Sequence, residues 1–241
     1  MSAKVYRRRR SVAIAIIGVI VAGAIAWQGG AFDNSADNNS AVRENSTTQN
    51  NSSQPLASES LAKLPVKGRA PKTGYSRDQF GNGWAKWGKC DTRQKILARD
   101  LVDIKLASDG CTVLSGTFHD PYTGKTIAFT RGAETSSAVQ IDHVVALSDA
   151  WQTGAQNLTA DERETLANDD LELLASDGKA NQQKSDGDAA TWLPPNKSFR
   201  CEYVARQIAV KVKYRLWVTS AEHDAMAKIL ASCPDERLPA P

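Results

Sequence analysis

The sequence is sparing with several residue types, and each shortage narrows the possibilities. Its 241 residues include three histidines, two methionines and four cysteines. No two cysteines stand in a Cys-x-x-Cys or other metal-ligand spacing, which argues against a zinc ribbon. Positive charge is also scarce outside the first few positions. Five of the 30 basic residues, Lys4 and Arg7 to Arg10, fall in the first ten; this leaves 25 against 27 acidic residues, a net of −2. Nucleic-acid binding by such a chain would need a local patch, because there is no global basic field. Hydrophobic content of 41% and charged content of 24% are ordinary for a globular protein.

The arginine run precedes an apolar stretch, Val12 to Trp27. As a helix it spans roughly 24 Å, a little short of a hydrocarbon core. This predicts a signal peptide, with Ala24-Ile25-Ala26 as a small-x-small cleavage site, or a transmembrane anchor with its N-terminus in the cytoplasm. Either places the remainder outside the cytoplasm, secreted or held at the membrane. Residues 28–70 read as a disordered polar linker, since Asn, Ser, Thr and Gln dominate and little apolar surface can be buried. Residues 71–241 form the expected domain.

Within that domain, Asp91 or Thr92 can cap a helix bearing Ile96, Leu97, Leu101 and Ile104. Extended runs follow at 112–118, 126–130 and 138–141, with Asp120-Pro121-Tyr122-Thr123-Gly124 supplying turn chemistry. Segments 147–151 and 161–167 read as helical, and 171–175 as a short strand or a helix end. Cys201–Trp217, with Val204, Ile208, Val212 and Leu216 every four residues, and Ala221–Ala231 form a helical hairpin. Cys90 and Cys111 flank the first helix, and Cys201 and Cys233 the distal ends of the hairpin. In an exported chain two local disulfides are expected. The fold class is α+β, with a small, mostly antiparallel sheet.

The chemistry gathers at Asp142-His143, at the end of the run Ala138–Ile141. A neutral imidazole can take a proton from water. A carboxylate and an amide oxygen are hard ligands suited to Mg²⁺ or Mn²⁺, and Asn181 follows in Asn181-Gln182-Gln183-Lys184-Ser185-Asp186. Lys184, three residues on, lies on the same helix face and is a candidate phosphate contact. Arg93 is a second candidate. Arg77 and Arg131 carry no reading beyond surface charge, and His119 and His223 read as exposed.

Taken together, Cys90-Asp91-Thr92-Arg93, Asp120-Pro121-Tyr122-Thr123-Gly124, Ile141 to Trp151, Asn181 to Asp186 and Trp192-Leu193-Pro194-Pro195 are similar to the HNH, or His-Me finger, endonucleases. The chain most resembles the exported, actinobacterial-type branch related to the C-terminal nuclease domain of GmrSD restriction enzymes. The resemblance implies a ββα-metal finger embedded in the sheet, with flanking helices. His143 would be the general base, and Asp142 and Asn181 would hold a divalent cation, Mg²⁺ first, with Mn²⁺ or Zn²⁺ as alternatives. The substrate implied is nucleic acid, DNA before RNA. The family's middle Asn falls here on Glu172, with Asn168 nearby as a substitute. The competing reading is a catalytically inactive cell-surface binding module that keeps the fold. No protein partner is identifiable from the residues.

Overall fold

The computed structural model describes residues 54–240 apart from Glu134. The segment 1–27, on which both the signal peptide and the transmembrane anchor were expected, lies outside these residues, as does the linker as far as 53. Among the described residues no helix is long and apolar enough to cross a membrane. The transmembrane expectation is corrected on that finding.

The expected linker ends earlier than residue 70. Helix α1, Ala57–Leu61, buries Ala57 and Leu61, and Leu64 follows them into the core. Those three positions form a short helical stripe inside a tract whose overall composition is polar. The chain here also meets its own C-terminal tail: Ala57 N–H donates to Glu236 O, and Leu238 N–H to Pro55 O.

Three small antiparallel sheets follow. Strands β1 (Lys86–Trp87) and β2 (Cys90–Asp91) form a minimal ribbon before helix α2, Thr92–Asp100. Asp91 caps α2 by accepting from Gln94 N–H. The helix was expected to continue through Ile104, but Leu101 turns into β3 (Leu101–Leu106), which pairs with β4 (Val113–His119). Ile96, Leu97 and Leu101 do share one buried cluster, so the apolar spacing was real while its last member belongs to a strand. Strand β5 (Thr126–Thr130) completes this sheet in the order β3-β4-β5.

Strands β6 (Val139–His143) and β7 (Leu173–Asp177) pair antiparallel, with Asp142 opposite Leu174 and His143 opposite Leu173. Between them run helices α3 (Leu147–Gln152) and α4 (Ala160–Ala167), the latter opened by a Thr159/Glu162 capping box. Helix α5 (Gly178–Lys184) follows β7 directly. One face of the β6–β7 pair, with Val139, Ile141, Leu173 and Ala175, packs against α2 and the three-stranded sheet. On the other face Leu174 joins a larger cluster with α1, α3, α4, α6 (Arg200–Lys213) and α7 (Ser220–Leu230). The pair therefore lies between two cores.

Disulfides Cys90–Cys111 and Cys201–Cys233 are both formed. Val212, expected on the apolar stripe of α6, is 46% exposed. Each four-residue step advances about 40° around a helix, so two steps from Val204 leave the core face and Lys211 takes the inward position. Its ammonium is fully buried, 3.2 Å from Asp149 and 2.9 Å from Glu222. Arg69 joins the same network through Asp149 at 2.8 Å and Asp188 at 2.7 Å.

Candidate active site

Alternation along β6 sends Asp142 and His143 to opposite faces of the strand pair. Asp142 points toward the helical cluster and is buried. Tyr122 O–H donates to its Oδ2 at 2.6 Å, and Lys184 Nζ donates to its Oδ1 at 3.0 Å. Lys184 also reaches the His143 carbonyl at 2.7 Å. Burial raises the Asp142 pKa, opposed by Lys184 and Tyr122.

Tyr122 had no functional reading in the sequence. The turn carrying it is tied down by Asp120, which accepts from Thr123 N–H at 2.8 Å and from Asp177 N–H, at the end of β7, at 3.0 Å. The turn thus couples the three-stranded sheet to the β6–β7 pair and delivers a phenol to Asp142. The Asp-Pro-Tyr-Thr-Gly pattern announced the turn; nothing in it announced the contact.

His143 faces the other way. Its imidazole stacks on Trp84, with ring centroids 5.6 Å apart and planes within 9°. Its Nε2 lies 3.0 Å from the Ala167 carbonyl at the end of α4. A carbonyl can only accept, so Nε2 carries the hydrogen, and in the neutral ring Nδ1 keeps the lone pair. Burial, followed by the charge of Arg77, lowers the imidazole pKa to about 3, so the ring is neutral at pH 7.

The segment after His143 is braced from β7. Val144 N–H donates to Glu172 O at 2.9 Å, and Val145 N–H to the Glu172 carboxyl at 3.2 Å. Glu172 is fully buried, and burial pushes its pKa well up. It therefore braces this segment, through its backbone and one carboxyl oxygen, from the position where the resemblance implied an Asn. Asn168 does not substitute: its Oδ1 accepts from Ala85 N–H at 2.8 Å and its amide donates to Glu164 O.

Asn181 rides on α5, where Asp177 caps the first turn by accepting from Ala180 N–H. Its Nδ2 donates to Gln140 Oε1 at 2.9 Å. That leaves the amide oxygen, the ligating end, without a protein donor among the described residues. Asp142, His143, Asn181 and Gln140 line one cavity of about 370 Å³, together with Lys72 and Arg77. A second cavity of about 110 Å³ lies between Arg77, Trp84, His143 and Ala167.

Two expected substrate contacts sit elsewhere. The Lys184 ammonium is fully buried and engaged by Asp142, so it holds the carboxylate in place of a phosphate. Arg93 donates to the carbonyls of Ser136 and Val139 at 3.3 and 3.0 Å, which secures the entry to β6. The remaining histidines bond locally, His119 with Thr126 and His223 with Asp224.

The donor set is compatible with a divalent cation. A carboxylate offers about four lone-pair positions, of which Tyr122 and Lys184 occupy two at Asp142. Asn181 adds a hard amide oxygen on the same cavity. The cluster of Cys201, Cys233 and Glu236 is a poorer candidate, because both sulfurs are spent in a disulfide.

Residues 91–229 match the family of GmrSD restriction endonucleases, C-terminal domain. The chain is also 39% identical over 176 residues to an uncharacterized secreted protein of Arthroderma benhamiae, an alignment covering 72% of this chain and 82% of that protein. No solved structure matches at comparable significance. With more than half of its length matched, and with a relative similar over most of both chains, the protein belongs to the GmrSD restriction endonuclease C-terminal domain family, a nuclease-related family.

Proposed function

We propose that the chain is an exported, metal-dependent endonuclease of the HNH type, acting on phosphodiester bonds and on DNA in preference to RNA. The observation that carries this reading is the tautomer imposed on His143. With Nε2–H held by Ala167, the lone pair of Nδ1 is the basic atom of the ring, and His143 lines the same cavity as Asp142 and Asn181. The order β6–β7–α5, placing the acid-histidine pair on one strand and the amide on the following helix, suits a ββα-metal finger. The disulfides and the secreted relative support an extracytoplasmic setting.

In this reading His143 Nδ1 takes a proton from water. The water oxygen bonds to phosphorus while the P–O3′ bond breaks. The products are a 5′-phosphate and a 3′-oxygen that takes up a proton from solvent. Asp142 and Asn181 would hold a divalent cation, Mg²⁺ or Mn²⁺ by their hard oxygens, which when bound supplies neutralisation of the scissile phosphate and the leaving oxygen. Trp84 keeps the imidazole plane fixed, and Glu172 keeps the following backbone from swinging it out of place.

One observation favours a second reading. Both oxygens of Asp142 already carry protein donors, as they would in a fold retained only for binding. Plasmid and RNA cleavage by the full chain with Mg²⁺, Mn²⁺, Zn²⁺ or EDTA, beside His143→Ala, separates the two. The nuclease reading expects metal-dependent nicking that is lost with EDTA and in His143→Ala. Equal cleavage by His143→Ala would overturn it, and absence of cleavage with all three metals would favour the binding module.

A further inference from the structure

We propose that Arg77 is the substrate-anion-binding residue of this site, taking a phosphate oxygen beside the bond that is cut. The inference rests on the nuclease reading above and adds a residue that lies outside the family match, which begins at residue 91.

The charges around the cavity are largely paired. Asp142 has Lys184 at 3.0 Å, and Asp186 has Lys72 at 3.2 Å. Lys72 is further occupied by lying over the Tyr75 ring. Arg77 is the cation of the cavity lining with no carboxylate partner among the described residues. It borders both cavities, so it stands on each side of the His143 ring's approach. A phosphodiester entering here would meet two carboxylates already matched by lysines, and one guanidinium free to accept it. The planar guanidinium presents a fork of N–H donors suited to two oxygens of one phosphate. This local charge answers the lack of net positive charge beyond the first ten residues.

The backbone that carries the guanidinium is held in place. Arg77 opens a 3-10 turn, Arg77–Phe80, whose Phe80 is buried. Phe80 packs edge-on against Tyr75 and Trp151, each with centroids 6.4 Å away. From α4, Arg163 donates to the Gln79 carbonyl at 2.7 Å. The turn is thus fastened to α3 and α4, the helices that connect the two strands of the site, while the arginine side chain itself stays exposed.

The test uses the full chain. Binding of a fluorescent DNA duplex is read by anisotropy over a salt series in the His143→Ala background, and cleavage is read in the otherwise unaltered chain. Arg77→Gln is expected to weaken duplex binding about tenfold and to flatten the dependence of log K on log salt by about 0.9. Its melting temperature should not move, because the side chain is exposed. Arg77→Lys should restore the salt slope, and Lys228→Gln, on the remote helix α7, should change neither binding nor slope. If Arg77→Gln binds and cleaves like the parent while His143→Ala is inactive, the Arg77 assignment is wrong and the nuclease reading stands. If Lys228→Gln flattens the slope as much as Arg77→Gln, binding is diffuse and the assignment is again wrong. If the parent chain neither cleaves nor binds nucleic acid, both inferences fall together.

Discussion

The buried network around Lys211 makes a quantitative prediction. Two cations, Lys211 and Arg69, face three carboxylates, Asp149, Glu222 and Asp188. One carboxylate is in excess, and Glu222 holds a proton more tightly than an ordinary carboxyl does. Burial, opposed by Lys211 and reinforced by repulsion from Asp149 and Asp188, raises the Glu222 pKa from 4.5 to about 7. A group whose pKa is raised on folding binds its proton more tightly in the native state. Its contribution is therefore fully present below pH 4.5 and lost as the pH climbs through 7. At about 1.4 kcal/mol per pH unit, the loss comes to about 3 kcal/mol. For a domain of this size that corresponds to a melting shift of roughly 6–12 °C. Glu222→Gln replaces the protonated carboxyl by a neutral side chain of the same shape, still able to complete the Thr219 capping box. Thermal melts by circular dichroism from pH 5 to 8 should show the parent losing stability relative to the variant, which overtakes it at the alkaline end. Taking the difference between the two chains cancels the groups that titrate independently of Glu222. Parallel pH profiles for the two would refute the reasoning.

Three further outcomes are expected. Glu172→Ala leaves the Val145 N–H without its acceptor and should cost about 1–3 kcal/mol, with a fall in nicking, whereas Glu172→Gln should restore both in urea melts and plasmid assays. A Cβ added at Gly178 would stand 2.1 Å from the Ser137 carbonyl oxygen, so Gly178→Ala should displace the start of α5 and cost about 1–3 kcal/mol; an unchanged urea midpoint would contradict that close approach. Removing the Cys90–Cys111 bridge, which closes 21 residues, by replacing both cysteines with serine should cost about 3 kcal/mol; a melting temperature equal to the parent's would show that the bridge constrains little.

The sequence was most legible where one signal decided the outcome alone. The extended runs at 112–118 and 126–130, with turn residues between them, located β4 and β5, and the local cysteine spacing anticipated both bridges. It was least legible where tertiary contacts overrode local pattern. Leu101 satisfies the helical spacing of α2 yet enters β3, because pairing with Phe118 is available there. Lys184 stands on the expected helix face, but its charge turns inward once Asp142 is buried beside it. Tyr122 and Arg77 reach the site from turns 20 or more residues away along the chain, and no periodicity encodes such a meeting. The polar composition of residues 33–60 concealed α1, whose contribution is only Ala57, Leu61 and the nearby Leu64.

The pairing of β6 with β7 also constrains how this site can change. Strand register takes only whole-number values, and each step turns every side chain through to the opposite face. With His143 set against Leu173 and Asp142 against Leu174, a slip of one would exchange the imidazole and the carboxylate between the Trp84 and Tyr122 sides. The proton acceptor and the proposed cation ligand would then trade surroundings. The intervening span, Val144 to Glu172, is free of that arithmetic, since its length does not alter which residues face which way once the strands have met. A single insertion inside either strand is therefore all or nothing, while one around α3 or α4 leaves the register intact and is limited instead by the contacts those helices make, among them the Ala167 carbonyl on His143 and Asp149 in the Lys211 network.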